Sequence, residues 1–578
     1  SEQESYLSDS GFLILPSALW AKDRIIDFME NRILNSDQLN QTFHKSWAKI
    51  RDSSRFELYI DQILHYITTY GTDFDSDFIY LPQEKLEIPE IEEDLKLCVI
   101  QGLSRQNLIK KCFNLLSSGI ALEQETIQDI LQALIEELDY EFTGDENINN
   151  KEAMVIMAEN YDILPEQPVE FLRYIVYRTT GETLLIKNDS TINAIKSSSY
   201  NPNLKFKQFG LTKLAQIFNR FKPLFLAFKN RCPSTINKIS KLSKVHHKPM
   251  VENPVNHVTH QKIKPEQQHW IEHATTFHLL KALNACYIRT AGQQKFLYRI
   301  RNGKSWVTQD PVDVDKKICN YNRILLLKEL KKRINLTDKV FYIPKNITYG
   351  LPTSEKQFVG NIPVGTSFYG NSLVVGIYWR NEWGARDLDL SGLSVNGKVG
   401  WNSIYKQSGL MYSGDITNAP DGAVEYLYGN NLEENYLIMN NVFSGDDDSK
   451  FNIIIGEGDN PDNDYMMNPN NLLASIPTET AQKNSILGTF LRFRKQQKFT
   501  LLNFGAGQLQ VSGNNQNAVA ARQALIQESQ NSITLNELIT ILGGEYVTQK
   551  SEKDEINYDF SLNKIEKTTF LDLLTGNL

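Results

Sequence analysis

Between Ser190 and Val251 the chain carries 12 lysines and arginines and no aspartate or glutamate. A stretch of that kind cannot neutralise itself. Its apolar residues must bury on a regular period, and its charges must then face solvent, a distant acidic segment or a polyanion. Extended to Lys339, the block holds 28 basic and 8 acidic residues, a balance of +20. The 578-residue chain has a net charge of −8, so everything else carries −28. The sequence is electrically segregated, with a basic middle in an acidic body. It is also too long for one core, and two to four domains are expected.

Periodicity divides the chain further. In Glu125–Leu138, residues Ile127, Ile130, Leu131, Leu134, Ile135 and Leu138 recur at threes and fours, the stripe of an amphipathic helix. Shorter stripes occur in Ser17–Leu34, Phe56–Tyr70, Gln106–Leu116, Pro168–Tyr177 and Leu211–Phe221, and Pro265–Tyr287 reads as one long helix. In Lys295–Thr308 the period changes to that of a hairpin turning at Asn302-Gly303. The basic helix Arg323–Arg333 follows. Beyond Val340 the apolar runs shorten and Gly, Asn and Asp punctuate them. Ser372–Trp379, Asp387–Val395, Ala423–Tyr428, Tyr436–Met439, Phe451–Gly456, Ile486–Arg494 and Phe499–Phe504 read as strands of an antiparallel sandwich. Thr534-x-x-Glu537 is a capping box, Gly543-Gly544 closes its helix, and Thr569–Leu574 reads as a final short helix. The expected fold is multi-domain α+β, in four parts. Residues 1–150 form an acidic, all-α, solenoid-like region. Residues 151–339 form a basic helical module carrying the hairpin 295–308. Residues 340–513 form the sandwich, and 514–578 a helical tail with a charged linker.

No apolar run approaches 18 residues, so no membrane span is expected. Ser1–Ser10 does not read as a secretory signal. The cysteines Cys98, Cys112, Cys232, Cys286 and Cys319 are widely spaced, as reduced thiols of a cytoplasmic protein are.

Three groups of residues carry candidate chemistry. The basic middle offers Lys205, Lys207, Lys213, Arg220, Lys241, Lys244, Arg299, Arg301 and Lys304 to phosphates. Phe206, Phe209, Tyr298 and Trp306 lie among them, placed to stack on unpaired bases. The pattern points to RNA or another single-stranded nucleic acid. The alternatives are an acidic protein partner, or pairing between copies in a homo-oligomer. Seven of nine histidines fall between His246 and His278, and His269-Trp270-Ile271-Glu272-His273 matches the H-x-x-E-H pattern of zinc hydrolases. There His269 and His273 are the zinc candidates, Glu272 the base, and Glu329 or Glu355 the third ligand. The third group is acidic: Asp387 and Asp389 on a predicted strand, Asp415, Asp446–Asp448 and Glu457–Asp459. Hard cations such as Ca2+ recruit six to eight oxygens from groups of this kind.

Three segments resemble the corresponding pieces of a known family. They are Asp387-Leu388-Asp389-Leu390-Ser391, Asn396-Gly397-Lys398-Val399, and Asn418-Ala419-Pro420-Asp421-Gly422-Ala423-Val424-Glu425. Together they are similar to the TerD family of bacterial stress-response (tellurite-resistance) proteins, over roughly residues 372–513. The resemblance implies a β-sandwich with bound calcium, with Asp387 and Asp389 among the ligands. This chain departs from the family after the turn, where the acidic G-D-N loop reads Gly429-Asn430-Asn431, which puts one calcium site in doubt. The basic helical run Phe206–Lys248 broadly resembles the helical RNA-binding module of Ro-type (TROVE) proteins in architecture and charge. No Walker, zinc-finger or G-x-S-x-G pattern occurs. The sequence therefore leads to an RNA-binding protein with a calcium-binding sandwich rather than to a classical enzyme. A scaffold of a stress or phage-related particle, and a zinc hydrolase, stand as alternatives.

Overall fold

The computed structural model describes residues 104–577 apart from 144–145, 162–163, 247–253, 300–304, 309, 402, 447–448, 459–470, 480–482, 506–515 and 552–554. Before residue 104 it describes 14, 16–30, 41–42, 53–54, 56–57 and 84–85. The expected helix Phe56–Tyr70 therefore lies almost wholly outside the described residues. In place of Ser17–Leu34 there is a 3-10 turn over Pro16–Ala21 and helix α1, Lys22–Glu30. No helix among the described residues is long and apolar enough to cross a membrane.

The chain is a multi-domain α+β protein of two compact units. One comprises Gln101–Ala282 with Thr353–Lys356 and Leu571–Leu578; the other comprises Ser1–Ile100, Leu283–Pro352 and Gln357–Phe570. The boundaries expected at 150, 339 and 513 fall inside these units. The basic block is divided as well: its helical part belongs to the first unit, and its hairpin and following helix belong to the second.

The first unit is helical. Its main elements are α2 (Arg105–Ser117), α3 (Gln124–Gln132), α4 (Lys151–Tyr161), α5 (Pro168–Thr180), α6 (Asp189–Ser197), α7 (Asn203–Phe209), α8 (Leu211–Phe218), α9 (Lys222–Ala227) and α10 (Pro233–Leu242). The expected helix from Glu125 ends early as an α-helix, and a π turn over Ala133–Glu137 completes it. The stripes read from the sequence face inward: Leu116, Ile127, Leu134, Phe171 and Leu214 are fully buried, though Ile135 is only half-buried, and Val155, Phe225 and Ile236 of the neighbouring helices are buried with them. Helix α3 lacks a side-chain cap of its own. Glu355 supplies one from far along the chain, accepting the Glu123 N–H at 2.7 Å and the Thr126 hydroxyl. Pro265–Tyr287 is not one helix. A 3-10 turn (Pro265–Gln267), the short α11 (His269–His273) and α12 (Thr276–Thr290) replace it, because Ala274 is extended at ψ 147°.

The second unit is built on two antiparallel sheets. Its strands are β1 (Ile347–Thr348), β2 (Ser367–Gly370), β3 (Leu373–Trp379), β4 (Ala385–Leu393), β5 (Lys398–Gly400), β6 (Lys406–Gln407), β7 (Leu410–Tyr412), β8 (Ala423–Gly429), β9 (Tyr436–Gly445), β10 (Lys450–Glu457), β11 (Leu472–Glu479), β12 (Asn484–Phe493) and β13 (Gln496–Gly505). The seven-stranded sheet runs β5-β4-β9-β12-β13-β2-β1, and the six-stranded sheet runs β6-β7-β8-β3-β10-β11. The chain passes between the sheets repeatedly, so neighbours in sequence face each other across the core. Where the sheets meet, contacts are so close that a side chain at Gly392 would strike Leu410, and one at Gly429 would strike Phe490 and Gln497. Gln497 also crosses the gap, accepting the Leu373 N–H at 2.7 Å.

Smaller elements border the sandwich. Leu297–Arg299 pairs with Ser305–Val307 as the expected hairpin, whose Asn-Gly turn lies outside the described residues. Helix α13 spans Lys316–Arg333 and α14 spans Gln516–Asn531. Helix α15 (Leu535–Ile541) begins with the expected reciprocal capping box, in which the Glu537 N–H donates to Thr534 Oγ1 at 3.1 Å and the Thr534 N–H donates back at 2.8 Å. It stops at Gly543, whose φ of 95° is left-handed. The tail helix α16 spans Lys567–Thr575. Val340–Tyr342, which precedes the sandwich, is flanked in parallel on both sides by Glu545–Val547 and Tyr558–Asp559, which follow it.

Candidate functional site

The Asp-Leu-Asp segment falls on β4, second strand in from the sheet edge. Residues two apart on a strand share a face, so Asp387 and Asp389 project together. The β4–β9 register slips on both sides of Asp387, a bulge of the kind that re-aims side chains. Asp415 arrives from the other sheet, on the loop between β7 and β8. The chain turns into that loop at Gly414, whose φ of 117° a side chain would strain. The next turn, Asn418–Gly422, is pinned by Asn381, which accepts the Ala419 N–H at 2.9 Å and donates to Asn418 at 2.8 Å. Gly422 is obligatory there, because a Cβ would lie 2.5 Å from the Tyr378 hydroxyl.

These elements bring one carboxylate oxygen each of Asp387, Asp389 and Asp415 within 4.8 Å of one another. The three residues are only 2%, 3% and 5% exposed. Around them, Asn441 donates to Asp389 Oδ2 at 2.9 Å. Lys398, on the β5 side of the Asn396-Gly397 hairpin, bears electrostatically on the same carboxylate. Glu425, wholly buried on β8, accepts the Leu390 N–H at 2.8 Å and the Ile416 N–H at 3.0 Å.

Burial and mutual repulsion make Asp389, Asp415 and Glu425 weaker acids than usual, raising their pKa values. Burial first, then Asp387, pushes Asp389 up to about 7, against the opposing pull of Asn441 and Lys398. Burial, then Asp389 and Asp387, holds Asp415 far above the usual carboxylate range. Burial, then Asp415 and Asp389, does the same to Glu425. The Leu390 amide and the nearby Tyr412 phenol work the other way. That phenol is itself fully buried and completes no hydrogen bond of normal geometry. Three buried, like-charged oxygens this close ionise together only beside a cation. Their chemistry is that of a hard oxygen-seeking ion, with backbone carbonyls and waters filling the remaining positions. Asp446, by contrast, is exposed, and Asp447, Asp448 and Asp459 lie outside the described residues. Gly429-Asn430-Asn431 is a structural turn, in which the Asn430 N–H donates to the Gly409 carbonyl at 2.7 Å.

Among the described residues this acidic triad is the one group that assembles three metal-ligating side chains, and the histidine motif does not. His269 and His273 are exposed, with Nδ1 atoms on backbone carbonyls of Glu266 (3.0 Å) and His269 (2.7 Å). Their supposed third ligands are committed elsewhere. Glu329 pairs with Arg333 at 2.9 Å and Lys332 at 3.2 Å, and Glu355 caps α3.

In the basic helices, Lys207, Lys213, Arg220, Lys241 and Lys244 are exposed, and Lys205 is half-buried. The aromatic residues among them serve the core. Phe206 is fully buried, and Phe209 stacks on Phe171 at 4.0 Å between ring centres. Neither is presented for base stacking. Lys213 sits 5.4 Å over the Phe209 ring, and Arg220 sits 4.9 Å over Phe221. Arg231 closes the C-terminal end of α6 through the carbonyls of Ile195 and Ser198. Of the hairpin candidates, Arg299 and Trp306 lie on its strands, while Arg301 and Lys304 lie outside the described residues.

Comparison with protein-family models, with characterised proteins and with solved structures finds no match to this chain.

Proposed function

We propose that this protein is a divalent-cation-binding protein whose sandwich takes calcium at Asp387, Asp389 and Asp415 as TerD-type domains do. The observation that carries the reading is the meeting of three buried carboxylates from two facing sheets within 4.8 Å. A cation there ties β4 to the loop before β8. Its expected role is to hold the sandwich closed. The test is thermal melting of the full chain with Ca2+ or with a chelator. Calcium raises the melting temperature of the wild type, and Asp387→Ala with Asp389→Ala removes that rise. A wild-type melting point indifferent to both reagents defeats the proposal.

A second reading rests on a separate observation, the exposed lysines and arginines of a stretch that contains no acid. The basic helices bind RNA or single-stranded nucleic acid through phosphates. On these helices Phe206 is buried and Phe209 is stacked on Phe171, so affinity comes from charge. It therefore falls steeply with salt, roughly in proportion to the number of phosphates neutralised. An affinity for single-stranded RNA that is flat between low and high salt defeats this reading and leaves an assembly role as its competitor.

A further inference from the structure

We propose that Glu425 is the positioning carboxylate of the cation site: it sets the distance between Asp389 and Asp415 by gripping the backbone amide next to each, and it binds no cation itself. The proposal rests on the cation reading above.

Glu425 belongs to the six-stranded sheet, where it lies opposite Ile377. Its carboxylate reaches β4 of the other sheet. One oxygen accepts the N–H of Leu390, the residue after Asp389, and the other accepts the N–H of Ile416, the residue after Asp415. Each amide belongs to the rigid peptide plane that leads out of a ligand residue, so moving the amide moves the ligand. The Leu390 amide also needs this partner. Strand β5 pairs with β4 only from Ser391 to Leu393, so it stops short of Leu390, and Glu425 is the acceptor of that amide. Glu425 thus fills a gap in the ladder and spans two ligand-bearing segments with one side chain.

Two further observations place a ligand beside it. Glu425 stands outside the set of oxygens within 4.8 Å, so it acts behind the ligands and not among them. The buried Tyr412 hydroxyl, which completes no hydrogen bond of normal geometry, lies where Glu425, Asp415 and Asp389 all bear on it. Glu425 engages this hydroxyl without normal geometry, and a cation's water or oxygen ligand would give it a well-aligned partner. Outer-shell groups that hold metal ligands in place commonly govern affinity as strongly as that.

The experiment uses the full chain with calcium titrated calorimetrically, and with Tb3+ as a probe whose luminescence lifetimes in water and heavy water count its bound waters. Glu425→Gln keeps the shape of the side chain but can accept only one of the two amides. It is expected to weaken calcium binding by roughly 10- to 100-fold while leaving the water count at the wild-type value. Asp415→Asn, which alters a ligand, is the comparison and is expected to weaken binding with a raised water count. If Glu425→Gln does not fold, Glu425→Asp is read the same way, since its shorter arm cannot reach both amides. Unchanged calcium affinity in a folded Glu425 variant overturns the proposal and leaves the cation site standing. A raised water count also overturns it, because Glu425 is then a ligand. A wild-type chain that takes neither Ca2+ nor Tb3+ sinks the cation reading itself.

Discussion

Asp389→Asn should change the stability of this protein in opposite directions with and without calcium. In the chelated protein the folded state holds a proton on Asp389 up to a pH of about 7, whereas the unfolded chain releases it near the ordinary value of 3.8. The unfolded state therefore binds fewer protons across that window, and stability falls as pH rises through it. A shift of about three units corresponds to roughly 4 kcal/mol at most. Coulomb's law agrees in scale, giving about 3 kcal/mol for two charges roughly 5 Å apart at an effective dielectric constant of about 20. Removing the charge relieves that penalty, so at pH 8 the chelated variant melts several degrees above the chelated wild type. In calcium the order reverses. The wild type gains about 2.7 kcal/mol when calcium stands at about 100 times its dissociation constant, and the variant forfeits most of this with the ligand charge. Scanning calorimetry at pH 5 and pH 8, each with calcium and with chelator, reads all the terms. A variant that melts below the wild type by the same amount in both reagents refutes the reasoning, because the carboxylate is then an ordinary structural group.

Two further outcomes follow from geometry outside the site. Thr534→Ala removes the cap of α15 and should cost about 1 kcal/mol in chemical denaturation, with Thr534→Ser close to wild type. Asp559 is held below the usual carboxylate range; burial opposes this, but Lys550 at 2.6 Å, Ser561 and Lys564 at 3.0 Å overcome it. Its contribution is present above the ordinary carboxylate value and is lost as pH falls below it, so Asp559→Asn should flatten the acid limb of the stability profile.

What was legible in the sequence was local. Five of the seven strands expected beyond Val340 lie within two residues of their place, because alternation and turn residues are properties of neighbours; β9 runs six residues past the expected Met439, β13 starts three residues before the expected Phe499, and the short β1, β2, β5, β6 and β7 carry too little alternation to be read. The Asp-Leu-Asp pair was legible for the same reason, as its two carboxylates need only a strand to share a face. Strand β11 was missed because Pro477 reads as a breaker, and β11 is an edge strand, where proline is tolerated. The single helix expected over Pro265–Tyr287 failed at Ala274, where no glycine or proline announces the break. Glu425 was quoted only as the last residue of a turn motif. Its role depends on amides 35 and 9 residues away, and no spacing rule connects them. The zinc motif erred in the other direction. A pattern of three positions is complete in sequence, but among the described residues the two acids offered as its third ligand, Glu329 and Glu355, are engaged elsewhere.

The three-stranded parallel sheet at the border of the sandwich has a consequence of its own. Val340–Tyr342 lies between Glu545–Val547 and Tyr558–Asp559, and Tyr349 reaches the Phe560 carbonyl at 2.6 Å. The segment that leads into the sandwich is thus gripped on either flank by the segment that leaves it. A protease cut between Val547 and Tyr558 separates the peptide without freeing either piece, since each keeps hold of the same middle strand. Such a nick appears on a denaturing gel and not in the elution volume of the native protein, and the same stretch is a natural place to open new ends in a circular permutant.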